Sequence, residues 1–290
     1  MKQPSQGPGL TRLSVGLLFT LVFCMSFSSV LWARQRYQEQ RLTQQLKDSV
    51  TQGEALMLKI APDDEFLALY MEATTPRSRG GVILLHDIGA HPDWPELIAP
   101  LRTQLPRYGW HTLSLQMPLL SDHPTPQEYV ELFSEARARI AAGVDYFSSR
   151  GIYNMVVVGH SLGGAMGLTW LASEAGKQSR AIAFVGIGVY DHEHMDTSIT
   201  SDKSIAQLTI PVLDIVGNLD RRVVLDSANA RATQAKKAGR KNYQLVTIPG
   251  ADHFFTGLEN SLVKRIRVWL NKQAPSMEIE AGSLDPKKAQ

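Results

Sequence analysis

Val156-Val157-Val158-Gly159-His160-Ser161-Leu162-Gly163-Gly164-Ala165 sets a β-branched run against a Gly-x-Ser-x-Gly turn, and a segment of small, helix-compatible residues follows. Composition alone produces such a string in about one chain in ten of this length. The context therefore decides its meaning: strand, sharp turn and helix are what a nucleophile elbow requires. A serine at the tip of so tight a turn sits in a strained backbone conformation, and neighbouring chain passes too close for a Cβ at Gly159 or Gly163. The strain lifts the Ser161 hydroxyl off the sheet. Its place at a helix N-terminus aims free backbone N–H groups, that of Leu162 first, at an oxyanion formed beside it.

Working outward from this elbow, apolar strand candidates alternate with helical stretches. Strands are expected at Ala55 to Ile60, Glu65 to Met71, Gly81 to His86, His111 to Leu115, Tyr153 to Gly159, Ala181 to Val189, Ile210 to Val216 and Tyr243 to Ile248. Helices are expected at Trp94 to Tyr108, Pro126 to Arg150, Leu162 to Ala175, Val223 to Ala238 and Gly257 to Lys272. Asp93, ahead of Pro95 and Glu96, reads as the cap of the first of these. The pattern predicts an α/β fold, a mostly parallel sheet with helices on both faces and ligands at the carboxyl ends of its strands. The connection Tyr190 to Leu208 is too short for a large cap domain.

A serine hydroxyl needs a base, and the base needs a third group to hold its tautomer. The order for this topology is serine, acid, histidine, each on a loop after a later strand. In Pro211-Val212-Leu213-Asp214-Ile215-Val216-Gly217-Asn218-Leu219-Asp220, Asp220 lies just past the strand and reads as the triad acid, with Asp214, inside the strand, in reserve. Pro249-Gly250-Ala251-Asp252-His253 delivers His253 on a loop before the last helix, and of the eight histidines only this one follows the acid. His160 reads as packing under the elbow. A second oxyanion donor is expected from the loop after Val82-Ile83-Leu84-Leu85-His86-Asp87-Ile88-Gly89, with the Ile88 N–H as candidate.

Together the elbow, the His86 loop, Gly217 to Asp220 and Gly250 to His253 resemble the α/β-hydrolase superfamily. Leu85 to Gly89 through His91-Pro92-Asp93-Trp94-Pro95, with Gly109-Trp110-His111-Thr112-Leu113-Ser114-Leu115, resembles in particular a bacterial branch of exported α/β-hydrolase-like proteins of unassigned function. The resemblance covers residues 54–273. It implies Ser161, Asp220 and His253 as catalytic triad, with Leu162 and Ile88 as oxyanion donors. One residue departs from the superfamily pattern: Asp87 stands where most members have glycine. A carboxylate aimed at a developing oxyanion opposes catalysis, so Asp87 is expected to point away or to be paired, and as a rim residue it would favour cationic substrates.

The ends of the chain carry other signals. Leu13 to Ala33 is uncharged and long enough to span a bilayer, between Lys2 and Arg12 on one side and Arg34, Arg36 and Arg41 on the other. Residues 1–34 are read as an uncleaved signal anchor, with a cleaved signal peptide as the other reading; either exports the remainder to the periplasm or beyond. Residues 35–53 are polar, with Leu42, Leu46 and Val50 on one helical face, an amphipathic stalk or a solvated linker. The hydrolase domain is assigned to 54–273, and the Pro-, Ser-, Glu- and Lys-rich residues 274–290 to a disordered tail.

With 43% hydrophobic residues the chain of 290 can bury a large core. Its 30 Lys and Arg are interspersed among 28 acids, net +2, which gives no basic patch for nucleic acid. The single cysteine, Cys24, excludes an intrachain disulfide and a cysteine-based metal site. The cluster Asp191-His192-Glu193-His194-Met195-Asp196 offers alternating histidines but reads first as a solvated loop, so no metal or other cofactor is expected. The activity these residues imply is hydrolysis of an ester, thioester or small amide through an acyl-enzyme, carboxylester hydrolysis first. The contrasting reading is a non-catalytic binding or scaffold protein on the same fold.

Overall fold

The computed structural model describes residues 37–120, 126–191, 200–273 and 279–280. The chain divides into two compact units, Met1–Gln44 and Gln45–Gln290. The segment Leu13 to Ala33 lies outside the described residues. Among those described, no helix is long and apolar enough to cross a membrane. Helix α1 covers 37–49. Residues 45–53, expected in the stalk or linker, belong with the second unit. There Leu46 is buried, and the Arg102 guanidinium donates to the Gln52 carbonyl at 2.6 Å.

The second unit is built on strands β1 (Glu54–Ala61), β2 (Asp64–Met71), β4 (Gly80–Leu85), β5 (Trp110–Leu115), β6 (Met155–His160), β7 (Ala181–Ile187), β8 (Val212–Gly217) and β9 (Tyr243–Ile248). They form one eight-stranded sheet in the order β1-β2-β5-β4-β6-β7-β8-β9. The β1–β2 and β2–β5 pairs are antiparallel and the other five parallel. A two-residue strand β3 (Arg77–Ser78) pairs with β10 (Ile279–Glu280), so part of the expected disordered tail is a strand. The rest of 274–290 lies outside the described residues.

Period-two alternation along the central strands sorts the core into two layers. Ile83, Leu85, Met155, Val157 and Phe184 face one layer, beneath helices α3 (Pro126–Ser149) and α4 (Ser161–Ala172). Val82, Leu84, Val156, Val158, Val185 and Ile215 face the other, beneath α2 (Ile98–Gln104) and α8 (Glu259–Gln273). Strands buried on both faces need continuous apolar runs, which is why Val156 to Val158 has no polar member.

The expected helix from Trp94 to Tyr108 is divided in the structure. Asp93 does not cap it. Its carboxylate accepts the Arg102 Nε and Nη2 donors at 2.9 and 2.6 Å, and the helix begins only at Ile98. At the far end Pro106 has no N–H to offer the α ladder, and Leu105–Tyr108 closes as a 3₁₀ turn. The helix expected over Leu162 to Ala175 ends at Ala172, where Ser173 accepts from the Gly176 N–H at 3.2 Å to start α5 (Glu174–Gln178). Between β7 and β8 lies helix α6 (Ser201–Gln207), unexpected from the sequence, and α7 (Arg222–Lys237) follows β8. Only residues 188–200 separate β7 from α6, which leaves no room for a large cap. Of the histidine-rich cluster only Asp191 is described, and its two carboxylate oxygens accept from the Ser201 backbone N–H and hydroxyl.

Candidate active site

Ser161 has φ +55°, the left-handed region that costs an ordinary side chain free energy. It is the first residue of α4 and follows β6 without a linker. The close approach that forces glycine on either side is measurable. A Cβ on Gly163 would stand 2.3 Å from the His86 carbonyl oxygen, and one on Gly159 2.5 Å from the Gly164 Cα.

Loops after β8 and β9 bring the partners. His253 Nε2 lies 3.1 Å from Ser161 Oγ, and His253 Nδ1 lies 2.9 and 3.0 Å from the two oxygens of Asp220. Serine, imidazole and carboxylate, 92 and 33 residues apart in the chain, are thus in line and almost wholly buried. Asp214 is elsewhere. Its carboxylate is held by Arg231 Nε and Nη2 at 2.7 and 3.1 Å and by the Tyr243 hydroxyl at 2.7 Å. That occupied set removes the reserve acid from the site.

Two other histidines shape the site. His160 is buried, as expected, and its Nε2 lies 3.0 Å from the His253 carbonyl, with the two rings 4.8 Å apart. It therefore pins the loop that carries the base. His86 donates from Nδ1 to the Asp87 carbonyl at 2.7 Å and accepts the Met117 N–H at Nε2, 2.9 Å, tying the β4 loop to the end of β5. Burial pushes both imidazoles down to about 4, so both remain neutral in this role.

Asp87 occupies the place an oxyanion would take. Its Oδ1 accepts the Leu162 N–H at 3.2 Å, and its Oδ2 is 3.8 Å from His253 Nε2. It is paired, as expected, but it does not point away. Burial alone would raise this carboxyl; hydrogen bonding to His253, with the Leu162 and Ser161 donors, holds it below the usual carboxylate range. It is therefore an anion at neutral pH, and the first oxyanion donor is taken. Ile88, the expected source of the second, follows in the same loop, half-buried against the core. Asp87 is half-buried, its side chain slightly more open than that of His253.

Arg221 has no counterpart in the sequence reading. Its Nη2 lies 3.0 Å from His253 Nε2 and its guanidinium 4.8 Å from the centre of the Tyr190 ring. Its backbone N–H donates to Asp220 Oδ1 at 2.7 Å. Adjacency to Asp220 was the one signal available, since only the folded turn brings its side chain back over His253. For His253 itself, burial lowers the imidazole pKa, the Asp220 and Asp87 carboxylates raise it, and the Arg221 charge opposes them; the net shift is upward. Among the described residues no cluster of potential metal ligands occurs.

With the geometry in place, comparison with known proteins places the chain. A family profile described as "Protein of unknown function (DUF3530)" matches residues 30–136 and 130–272. The chain belongs to this family. Curated proteins give no match to the sequence. Solved structures do, and they carry the α/β-hydrolase fold. Est1E from Butyrivibrio proteoclasticus superposes with a TM-score of 0.58 at 19% identity, over 76% of this chain and 98% of its own. A dienelactone hydrolase from Anabaena variabilis gives 0.59 at 17%, over 77% and 99%. The Pyrococcus furiosus esterase PF2001 gives 0.62 at 13%, over 79% and 94%. This DUF3530 member is similar to all three in its sheet and helices, and the eight-stranded, mostly parallel sheet has the α/β-hydrolase fold.

Proposed function

We propose that the protein is a serine hydrolase of esters, thioesters or small amides, with carboxylesters the first class to assay. The observation that carries this is the unbroken Ser161–His253–Asp220 relay, with Nε2 on the hydroxyl and Nδ1 on the carboxylate. In that arrangement Ser161 Oγ attacks the carbonyl carbon while His253 Nε2 takes its proton. The tetrahedral intermediate then collapses as the imidazolium returns that proton to the leaving group. Water repeats the sequence on the acyl-enzyme, and Asp220 holds the Nδ1–H tautomer throughout. The Leu162 N–H stabilises the oxyanion once Asp87 withdraws, and the Ile88 N–H is the proposed second donor. The names of solved relatives, an esterase and a dienelactone hydrolase among them, support the same class.

Asp87 favours a second reading, a binding protein that keeps the fold without turnover, because its carboxylate blocks the donor that turnover needs. A panel of nitrophenyl esters of increasing acyl length separates the two. We expect turnover of at least one ester and a loss of about 10³-fold or more in Ser161→Ala. Absence of turnover on the whole panel, or equal rates in Ser161→Ala, leaves the second reading in possession.

The location we propose is the cell envelope, with residues 13–33 as membrane anchor and the hydrolase unit on the periplasmic side. The length and lack of charge of that segment support it.

A further inference from the structure

The guanidinium of Arg221 stands at the most sensitive atom of the site. His253 Nε2 has one lone pair, and the relay needs it for the Ser161 proton, yet Arg221 Nη2 is within hydrogen-bond distance of it at 3.0 Å. A donor there competes with Ser161 and, as a cation, disfavours the imidazolium that the first step creates. A working site requires something that draws the guanidinium away, and an anionic group does so best, since carboxylate and guanidinium match as a two-donor fork.

The position of Arg221 fixes which part of a substrate would carry that group. Nε2 is the atom that hands its proton to the departing oxygen, so a guanidinium beside it lies on the leaving-group side of the scissile bond. Arg221 is exposed, whereas Ser161 and His253 are buried, so it is the outermost of the charges around Nε2. Its backbone is anchored by the N–H bond to Asp220, and its side chain rests on the Tyr190 ring. An anchored backbone with a solvent-facing guanidinium turns toward an arriving anion without disturbing the triad acid.

We propose that Arg221 is the specificity-determining residue of the site and selects esters whose leaving group bears a carboxylate. This rests on the serine hydrolase reading above. An incoming carboxylate takes the guanidinium from Nε2, restores the lone pair to the Ser161 proton and is itself held while the acyl group transfers. A neutral leaving group leaves Arg221 on the base.

A matched pair of substrates tests this: 4-acetoxybenzoate and 4-acetoxybenzamide, equal in size and differing in the charge of the leaving group. Each kcat/KM is divided by the ester's rate of hydrolysis in hydroxide. The corrected ratio of acid to amide is expected to exceed about tenfold in the wild type, since a charge-assisted pair supplies at least that much. It is expected to fall near one in Arg221→Gln, with the loss in KM, and to be partly kept in Arg221→Lys. A wild-type ratio of one or less, or a ratio unmoved by Arg221→Gln, overturns the proposal while leaving the hydrolase reading intact. Failure of the wild type to turn over either ester would instead count against that reading. Calorimetry with 4-hydroxybenzoate then judges Arg221 alone: binding to wild type that is lost in Arg221→Gln supports the anion site, and no binding, or binding that survives in the variant, overturns it.

Discussion

Asp87 is the residue whose role most needs a number. A charge in the oxyanion position opposes the developing negative oxygen, and loss of a single good donor there costs an acyl-transfer enzyme about 10²–10³ in kcat. Replacing Asp87 with glycine frees the Leu162 N–H and removes the charge, so Asp87→Gly is expected to raise kcat on neutral esters by about tenfold or more. A fall in kcat for that variant, measured on the best ester of the panel, would show that Asp87 takes part in the reaction. The carboxyl lies below the usual range, so it stays ionised from pH 5 to 8 and titration does not relieve the block. His253 behaves differently. Its pKa is raised from the ordinary imidazole value of 6.5, so the protonated, inactive form persists to higher pH than in a free imidazole. Activity should therefore be lost as pH falls through a midpoint above 6.5. Arg221→Gln, which removes an opposing cation, should move that midpoint further up. A rate flat between pH 5 and 8 contradicts the assignment of His253 as base.

At the scale of elements, the strand ends hold the site and the buried pair behind β8 holds the strand ends. Arg231 and Asp214 are both almost fully buried, and Arg231 also donates to the Val189 carbonyl at 2.8 Å and Ser201 Oγ at 3.3 Å. This bond set ties α7 and α6 to the mouth of β7. Removing one partner strands a buried charge, so Arg231→Ala should lower unfolding stability in urea by about 3–5 kcal/mol. Asp214→Ala should lower stability too while the folded fraction keeps its kcat. Loss of kcat without loss of stability would return Asp214 to the triad. The central strands were legible because burial on both faces forces long apolar runs; the half-exposed edge strand β9, Tyr243–Ile248, shows through its mixed apolar and polar pattern instead. The first helix was not, because Asp93 serves Arg102, a contact across nine residues that propensity does not encode. Helix α6 is hidden for a related reason: seven residues, five of them polar, take their place from Asp191 and Arg231 rather than from a periodic face.

Taken whole, the molecule divides what sequence does and does not reveal along one line. Ser161, Asp220 and His253 stand in motifs whose local form announces them, and the fold brings them within 3.1 Å of one another in turn. Asp87 is visible as a departure and Arg221 only by its adjacency to Asp220, because what each does depends on where the folded loops set its side chain. The envelope location has its own check. In cells expressing the full chain, the protein should remain in the membrane fraction after alkaline carbonate washing and become extractable when residues 1–36 are deleted. Full recovery in the soluble fraction with residues 13–33 intact contradicts the anchor.

The relay itself is tested most directly by covalent capture. Incubated at neutral pH with a fluorophosphonate, the intact protein should gain the mass of one phosphonyl group, and peptide mapping should place it on Ser161. The gain should vanish in Ser161→Ala and be slowed at least about 10³-fold in His253→Ala. An unmodified wild-type protein, or labelling that persists without Ser161, would contradict the account.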